Sequence, residues 1–198
     1  MNIMTVSIRD DIEIQLNKSI EEVSNNDLLK IKKITLNRLG YGDEVKNVNY
    51  NEVSLFKNLE ELNVFNCMIN EDFVRSIMGL KKIKILKLYN CDFVDYVSRV
   101  LNVFDLEELV INNCIGIEDV KIEKLKYLEL KNVKMSFPII NVGVLNVSNI
   151  NEKINLGVLK NIGKIIISEK DYNNYKDVSK VCSNVTIVND RMMIVKEI

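Results

Sequence analysis

An eleven-residue phrase written three times over constrains this chain more than any other feature. "LEELNVFNCMI" at 59–69 returns as "IKILKLYNCDF" at 83–93 and as "LEELVINNCIG" at 106–116, with a cysteine at the same place each time. The shared pattern is L-x-x-L-x-L-x-x-C-x-(L/I). Leu59, Leu62, Val64, Cys67 and Ile69 fill it in the first copy, and Ile83, Leu86, Leu88, Cys91 and Phe93 in the second. Leu106, Leu109, Ile111 and Cys114 fill it in the third, which then slips, with Gly116 ahead of Ile117. Weaker copies extend the pattern outward through Ile34 upstream and through Leu128, Leu145, Ile165 and Val185 downstream. The first strand position of each copy falls at 34, 62, 86, 109, 128, 145, 165 and 185, and the alignment is weakest around Leu145.

The x residues of "L-x-L" alternate with apolar ones, as in a strand with one buried face. One such coil cannot bury its own apolar row, whereas a stack of coils can. Eight strands about 4.8 Å apart would make a sheet of roughly 34 Å along the stack. The spacings run from 17 to 28 residues, mostly within the range of about 20–29 of leucine-rich repeat proteins, and the phrase resembles theirs. The resemblance implies an α/β fold: a horseshoe-shaped solenoid of about eight coils, with a parallel β-sheet on the concave face and helices or extended segments on the convex face. In that setting Cys67, Cys91 and Cys114 occupy the turn after the strand as small buried apolar groups. Their spacing is the repeat period and not a metal-ligand spacing. Cys182 occupies an apolar position of the last copy.

An open stack needs caps. Residues 1–30 read as a helical N-terminal cap, with Ile8, Ile12 and Leu16 at helical spacing and Ser24 with Asp27 as a helix start. The stretch "NNDLLKIKKITLN" is similar to the cap of internalin-type bacterial leucine-rich repeat proteins. Residues 31–190 are assigned to the repeats, and 191–198, "RMMIVKEI", to a tail that covers the last coil. On the convex side, Phe73, Ile77 and Leu80 predict a helix within 70–82. Two further helices are predicted over 95–104 and 171–181, the latter from Tyr172, Tyr175, Val178 and Val181. The short repeats near 115–145 leave room only for extended backbone or a tight turn.

The residues between the apolar strand positions face away from the core. Most are polar, but Phe65, Ile85, Tyr89, Val110 and Tyr127 are not, and they come from four successive coils, with Lys87 and Glu129 flanking Val110 in its column. Aromatic side chains on a rigid exposed sheet suit a protein-binding hot spot. These seven residues are the candidate site, and a protein partner is expected there.

Other classes find little support. The 27 basic and 28 acidic residues nearly cancel, which argues against nucleic acid as a partner. The chain has no histidine, so the usual triads and zinc sites are missing and no enzyme is expected. "GYGDE" at 40–44 lacks the flanking pattern of a nucleotide loop and reads as a turn. No cofactor is expected. No secretion signal or apolar run of membrane-spanning length appears, so the expected location is cytoplasmic and the expected state a monomer. Two rival readings of the same architecture are a regulator that occludes an enzyme partner and a self-assembling structural array.

Overall fold

The computed structural model describes residues 5–38, 48–94, 98, 101, 104–118, 120–134, 137–148, 156–172, 176–189 and 191–198. Four helices and twelve strands are described: α1 (Val6–Leu16), α2 (Asn25–Leu28), β1 (Lys33–Asn37), β2 (Glu61–Phe65), β3 (Met68–Ile69), α3 (Glu71–Ile77), β4 (Ile85–Tyr89), β5 (Asp92–Phe93), β6 (Glu108–Asn112), β7 (Ile122–Glu123), β8 (Tyr127–Lys131), β9 (Ile139–Ser148), β10 (Leu159–Ser168), α4 (Glu169–Tyr172), β11 (Val185–Val188) and β12 (Ile194–Glu197). They form a mixed α/β architecture around one large open sheet, ordered β1-β2-β4-β6-β8-β9-β10-β11-β12. Its strands run parallel except for β12, which turns back antiparallel to β11. The small strands β3 and β5 pair in a second sheet.

The register is continuous. Ile34 pairs with Leu62, Leu62 with Leu86, Leu86 with Leu109 and Leu109 with Leu128. Leu128 pairs with Leu145, Leu145 with Ile165 and Ile165 with Val185. The copy around Leu145, the weakest in sequence, is therefore in step with its neighbours. All eight residues are at most 1% exposed, so one apolar row runs through the stack. Each such side chain contributes about 1.5–3 kcal/mol of burial.

The turn after the strand depends on a residue that the cysteine pattern overshadows. Asn66, Asn90, Asn113 and Asn132 each follow a strand with φ between 50° and 56°, a left-handed conformation that asparagine tolerates better than most residues. Their amides form a ladder along the stack: Asn66 donates to Asn37 Oδ1 (3.0 Å), Asn90 to Asn66 (3.1 Å) and Asn113 to Asn90 (2.8 Å). The turn points the next residue inward. Cys91 Sγ then donates to Tyr89 O (3.3 Å) and to Val64 O of the preceding coil (3.6 Å), and Cys114 to Asn112 O (3.4 Å) and Leu88 O (3.6 Å). Burial pushes the Cys67 thiol up to about 12. The third copy slips because Gly116 has a φ of 73° and a Cβ there would lie 2.1 Å from Phe93 O.

Where the repeats shorten, extended backbone replaces helix. β9 and β10 are ten residues long and carry the same bend, with Asn141 (φ 56°) and Asn161 (φ 54°) two residues before Gly143 and Gly163. Added Cβ atoms would lie 2.7 Å from Lys126 O at Gly143 and 2.7 Å from Gly143 O at Gly163, so glycine permits the close approach of successive coils. Asn161 donates to Asn141 Oδ1 (2.9 Å), a further rung of the same kind.

The N-terminal cap lies across the edge of β1. Ile8 and Ile12 of α1 are fully buried. On a neighbouring stripe of the helix, Ser7 Oγ accepts from Asn37 N (3.1 Å), Asp11 accepts from Thr35 N, and Gln15 Nε2 donates to Lys33 O (2.7 Å). Those three backbone groups would otherwise lack sheet partners. Ser24 and Asp27 form a capping box at α2, with Ser24 N donating to Asp27 Oδ2 (3.1 Å). Hydrogen bonds from Lys30 and Ser24, then Lys18, hold the Asp27 carboxyl well below the usual carboxylate range.

On the other flank α3 buries Phe73 and Ile77, and Leu80 follows them into the core. The helix expected over 171–181 is described as two short pieces, α4 and a 3₁₀ turn at Lys176–Lys180, with Tyr175 outside the described residues. Most of the segment 95–104 and all of "GYGDE" also lie outside them. The tail pairs with β11 as β12, but Met192, Met193, Ile194 and Val195 remain between 49% and 63% exposed. It extends the edge of the sheet instead of sealing the core. Among the described residues, no helix is long and apolar enough to cross a membrane.

Two outcomes follow. Asn90→Ala loses two rungs and forces alanine into a left-handed turn, at a cost of about 2–3 kcal/mol. Asn90→Gly relieves the backbone and costs less, and urea unfolding of both variants measures the difference. Asp27 has a folded pKa below its unfolded value of 3.8, so its stabilisation is complete above that pH and is lost as the pH falls below it. Asp27→Asn removes this component, and the unfolding midpoint of the variant therefore falls less than that of the parent between neutral and strongly acidic pH.

Candidate protein-binding face

Three columns of side chains cover the face of the sheet that points away from the core. Register places Lys33, Glu61, Ile85, Glu108, Tyr127 and Val144 in the first column. Thr35, Asn63, Lys87, Val110, Glu129 and Asn146 fill the second, and Asn37, Phe65, Tyr89, Asn112 and Lys131 the third. The sequence-predicted residues therefore do meet on one face, spread over β2, β4, β6 and β8.

Phe65 and Tyr89 stack with ring centroids 4.6 Å apart and planes 7° apart. The spacing is that of adjacent strands, so the register itself holds the rings face to face. Near-parallel rings at this centroid distance fall within the stacked range that aromatic pairs favour. Both rings are half-buried, as are Ile85 and Tyr127. Burial raises the Tyr89 hydroxyl above its ordinary value.

Polar networks border the rings. Glu61 Oε1 lies 3.1 Å from Lys33 Nζ and 3.3 Å from Lys87 Nζ. Burial alone would raise the Glu61 carboxyl, but the two ammonium groups outweigh it and hold the group below its usual value. Lys87 is thus anchored to the strand before it, beside the aromatic stack. Two strands further on, Tyr127 OH donates to Glu129 Oε2 (2.7 Å), and Asn146 Nδ2 donates to both Tyr127 OH (3.1 Å) and Glu129 Oε2 (3.2 Å). Burial, reinforced by the bond to Glu129, pushes the Tyr127 hydroxyl up to about 12. These bonds fix the positions of Lys87, Tyr127 and Glu129 on the face.

Val110 departs from the expectation. It is only 5% exposed, because Lys87 and Glu129 stand on either side of it in the same column. Its short side chain is walled in and offers a partner almost no surface. The same shading buries Asn63 and Asn146 in that column. The accessible apolar surface of the face therefore lies on either side of the middle column, Phe65 with Tyr89 on one side and, with Glu108 between them, Ile85 and Tyr127 on the other. Asn63 Oδ1 in the middle column is buried without a hydrogen-bond partner.

Among the described residues, no cluster of cysteine and acidic side chains is arranged to hold a metal ion. The four cysteines are buried. No family model matches the sequence, and no curated protein is significantly similar to it.

Proposed function

We propose that the chain is a non-catalytic binding module of the leucine-rich-repeat type, which holds a protein partner against the open face of its sheet. The observation that carries this reading is the Phe65–Tyr89 stack, half-exposed on a surface already fixed by its own register and hydrogen bonds. Pre-organisation of this kind lowers the ordering cost of association. Aromatic anchors flanked by satisfied polar groups match the composition of interface hot spots. Ile85 and Tyr127 supply apolar surface on the other side of the middle column, and Lys87 and Glu129 a charged divider of opposite signs that sets the orientation of the partner. Val110 lies beneath that divider and supports it without touching the partner.

Removing both rings tests the reading. Phe65→Ser combined with Tyr89→Ser should weaken partner capture at least about 30-fold, the equivalent of two or more kcal/mol at a hot spot. Met78→Ser, an exposed position on the helical flank, should leave capture unchanged. Both proteins should keep the parent's circular dichroism. The reading fails if the species retained by the parent is retained equally by the double variant, or is lost from the Met78→Ser control.

A further inference from the structure

The two ends of the sheet are finished differently. At the β1 end, Ser7, Asp11 and Gln15 occupy the outward backbone groups of Asn37, Thr35 and Lys33, so no further strand can add there. At the other end β12 is the outermost strand, and its outward side has no such cover among the described residues. Ile198 exchanges both backbone bonds with Val185 (3.0 and 2.8 Å), and Lys196 pairs with Ile187. In an antiparallel ladder, alternate residues turn their backbone groups to opposite sides. Glu197 therefore directs its N–H and C=O away from β11, toward open solvent. The shift of register lies beside Val188 and leaves the stretch from Lys196 to Ile198 regular.

Apolar surface surrounds this edge. Met192, Met193, Ile194, Val195 and Ile198 are between 41% and 63% exposed, the densest run of exposed large apolar side chains in the described chain. An edge strand flanked by apolar side chains is a template for pairing with another strand. We infer that β12 pairs antiparallel with β12 of a second copy of this chain, joining the two sheets edge to edge across a two-fold axis.

Three features select that occupant. A second copy brings the same open edge and the same apolar flank, which a two-fold contact requires of both partners. The net charge of −1 offers no general repulsion between copies. Covering all five side chains on both copies would remove at most on the order of 1,000 Å², at the low end of specific interfaces, as in a weak and reversible dimer. Because α1 closes the opposite edge, the association stops at two copies and does not grow into a filament. The inference uses a different surface from the proposed binding face, and either can fail without the other.

Sedimentation of the full chain over a range of concentrations around and above the micromolar tests it. The parent should show a monomer–dimer equilibrium with no larger species. Glu197→Pro removes the outward N–H of the edge strand, which makes no bond to β11, and should weaken the dimer at least tenfold. Met193→Lys combined with Ile194→Lys should do the same through the side chains while leaving the backbone intact. Circular dichroism of both variants should match the parent. A parent that stays monomeric at every concentration, one that grows beyond the dimer, or an equilibrium that neither variant moves would each overturn the inference.

Discussion

No single strand of this chain can bury its own apolar row, and the rest of the structure follows from pairing the strands side by side in register. Of the eight residues from Ile34 to Val185, the six inner ones lie between their counterparts in the strands on either side, while α1 flanks the strand of Ile34 and β12 that of Val185. Parallel in-register pairing is the arrangement that brings identical positions of successive repeats together. It also makes every position of the repeat into a column. Apolar residues become a core, asparagines become a ladder of amides, cysteines become a row of thiols that reach back to the preceding coil, and two aromatic residues become a stack.

The sequence carried the strand positions almost completely, because a buried row repeats in a way that chemistry cannot disguise. Leu62, Leu86, Leu109 and Leu128 could be aligned by eye, and Leu145 fell into step despite its poor surroundings. The turn was only half legible. The cysteines drew attention because they are rare, yet the asparagine before each one sets the backbone angle, and an asparagine-rich chain hides its own signal. Ser7, Asp11 and Gln15 could not have been singled out, since a polar stripe on a helix ordinarily means solvent, and here it meets the edge of β1. Accessibility within the outward columns was also beyond reach. Alternation tells which way a side chain points and not how tall its neighbours are, so Val110 looked exposed while Lys87 and Glu129 in fact enclose it.

The same geometry separates two roles. The face carries aromatic side chains beside short polar networks, a surface fixed by its own bonds and, on the proposed reading, suited to recognition. The ends face a different problem, since a sheet that begins and stops in water leaves backbone groups unpaired. A helix solves it at β1 with three side chains, whereas at the other end β12 is added antiparallel and no described residue covers its outer side. The unequal finish gives the molecule a direction, and on the proposed pairing the β12 end is the one that meets a second sheet.

The most direct check on this account is the set of cross-strand nuclear Overhauser contacts measured on the folded chain in solution. Stacking in step predicts backbone contacts that link Leu62 to Leu86, Leu86 to Leu109, Leu109 to Leu128 and Leu128 to Leu145, each to its immediate successor. Contacts displaced by even one residue, or joining strands that are not consecutive in this series, would place half of the apolar row in water and contradict the account.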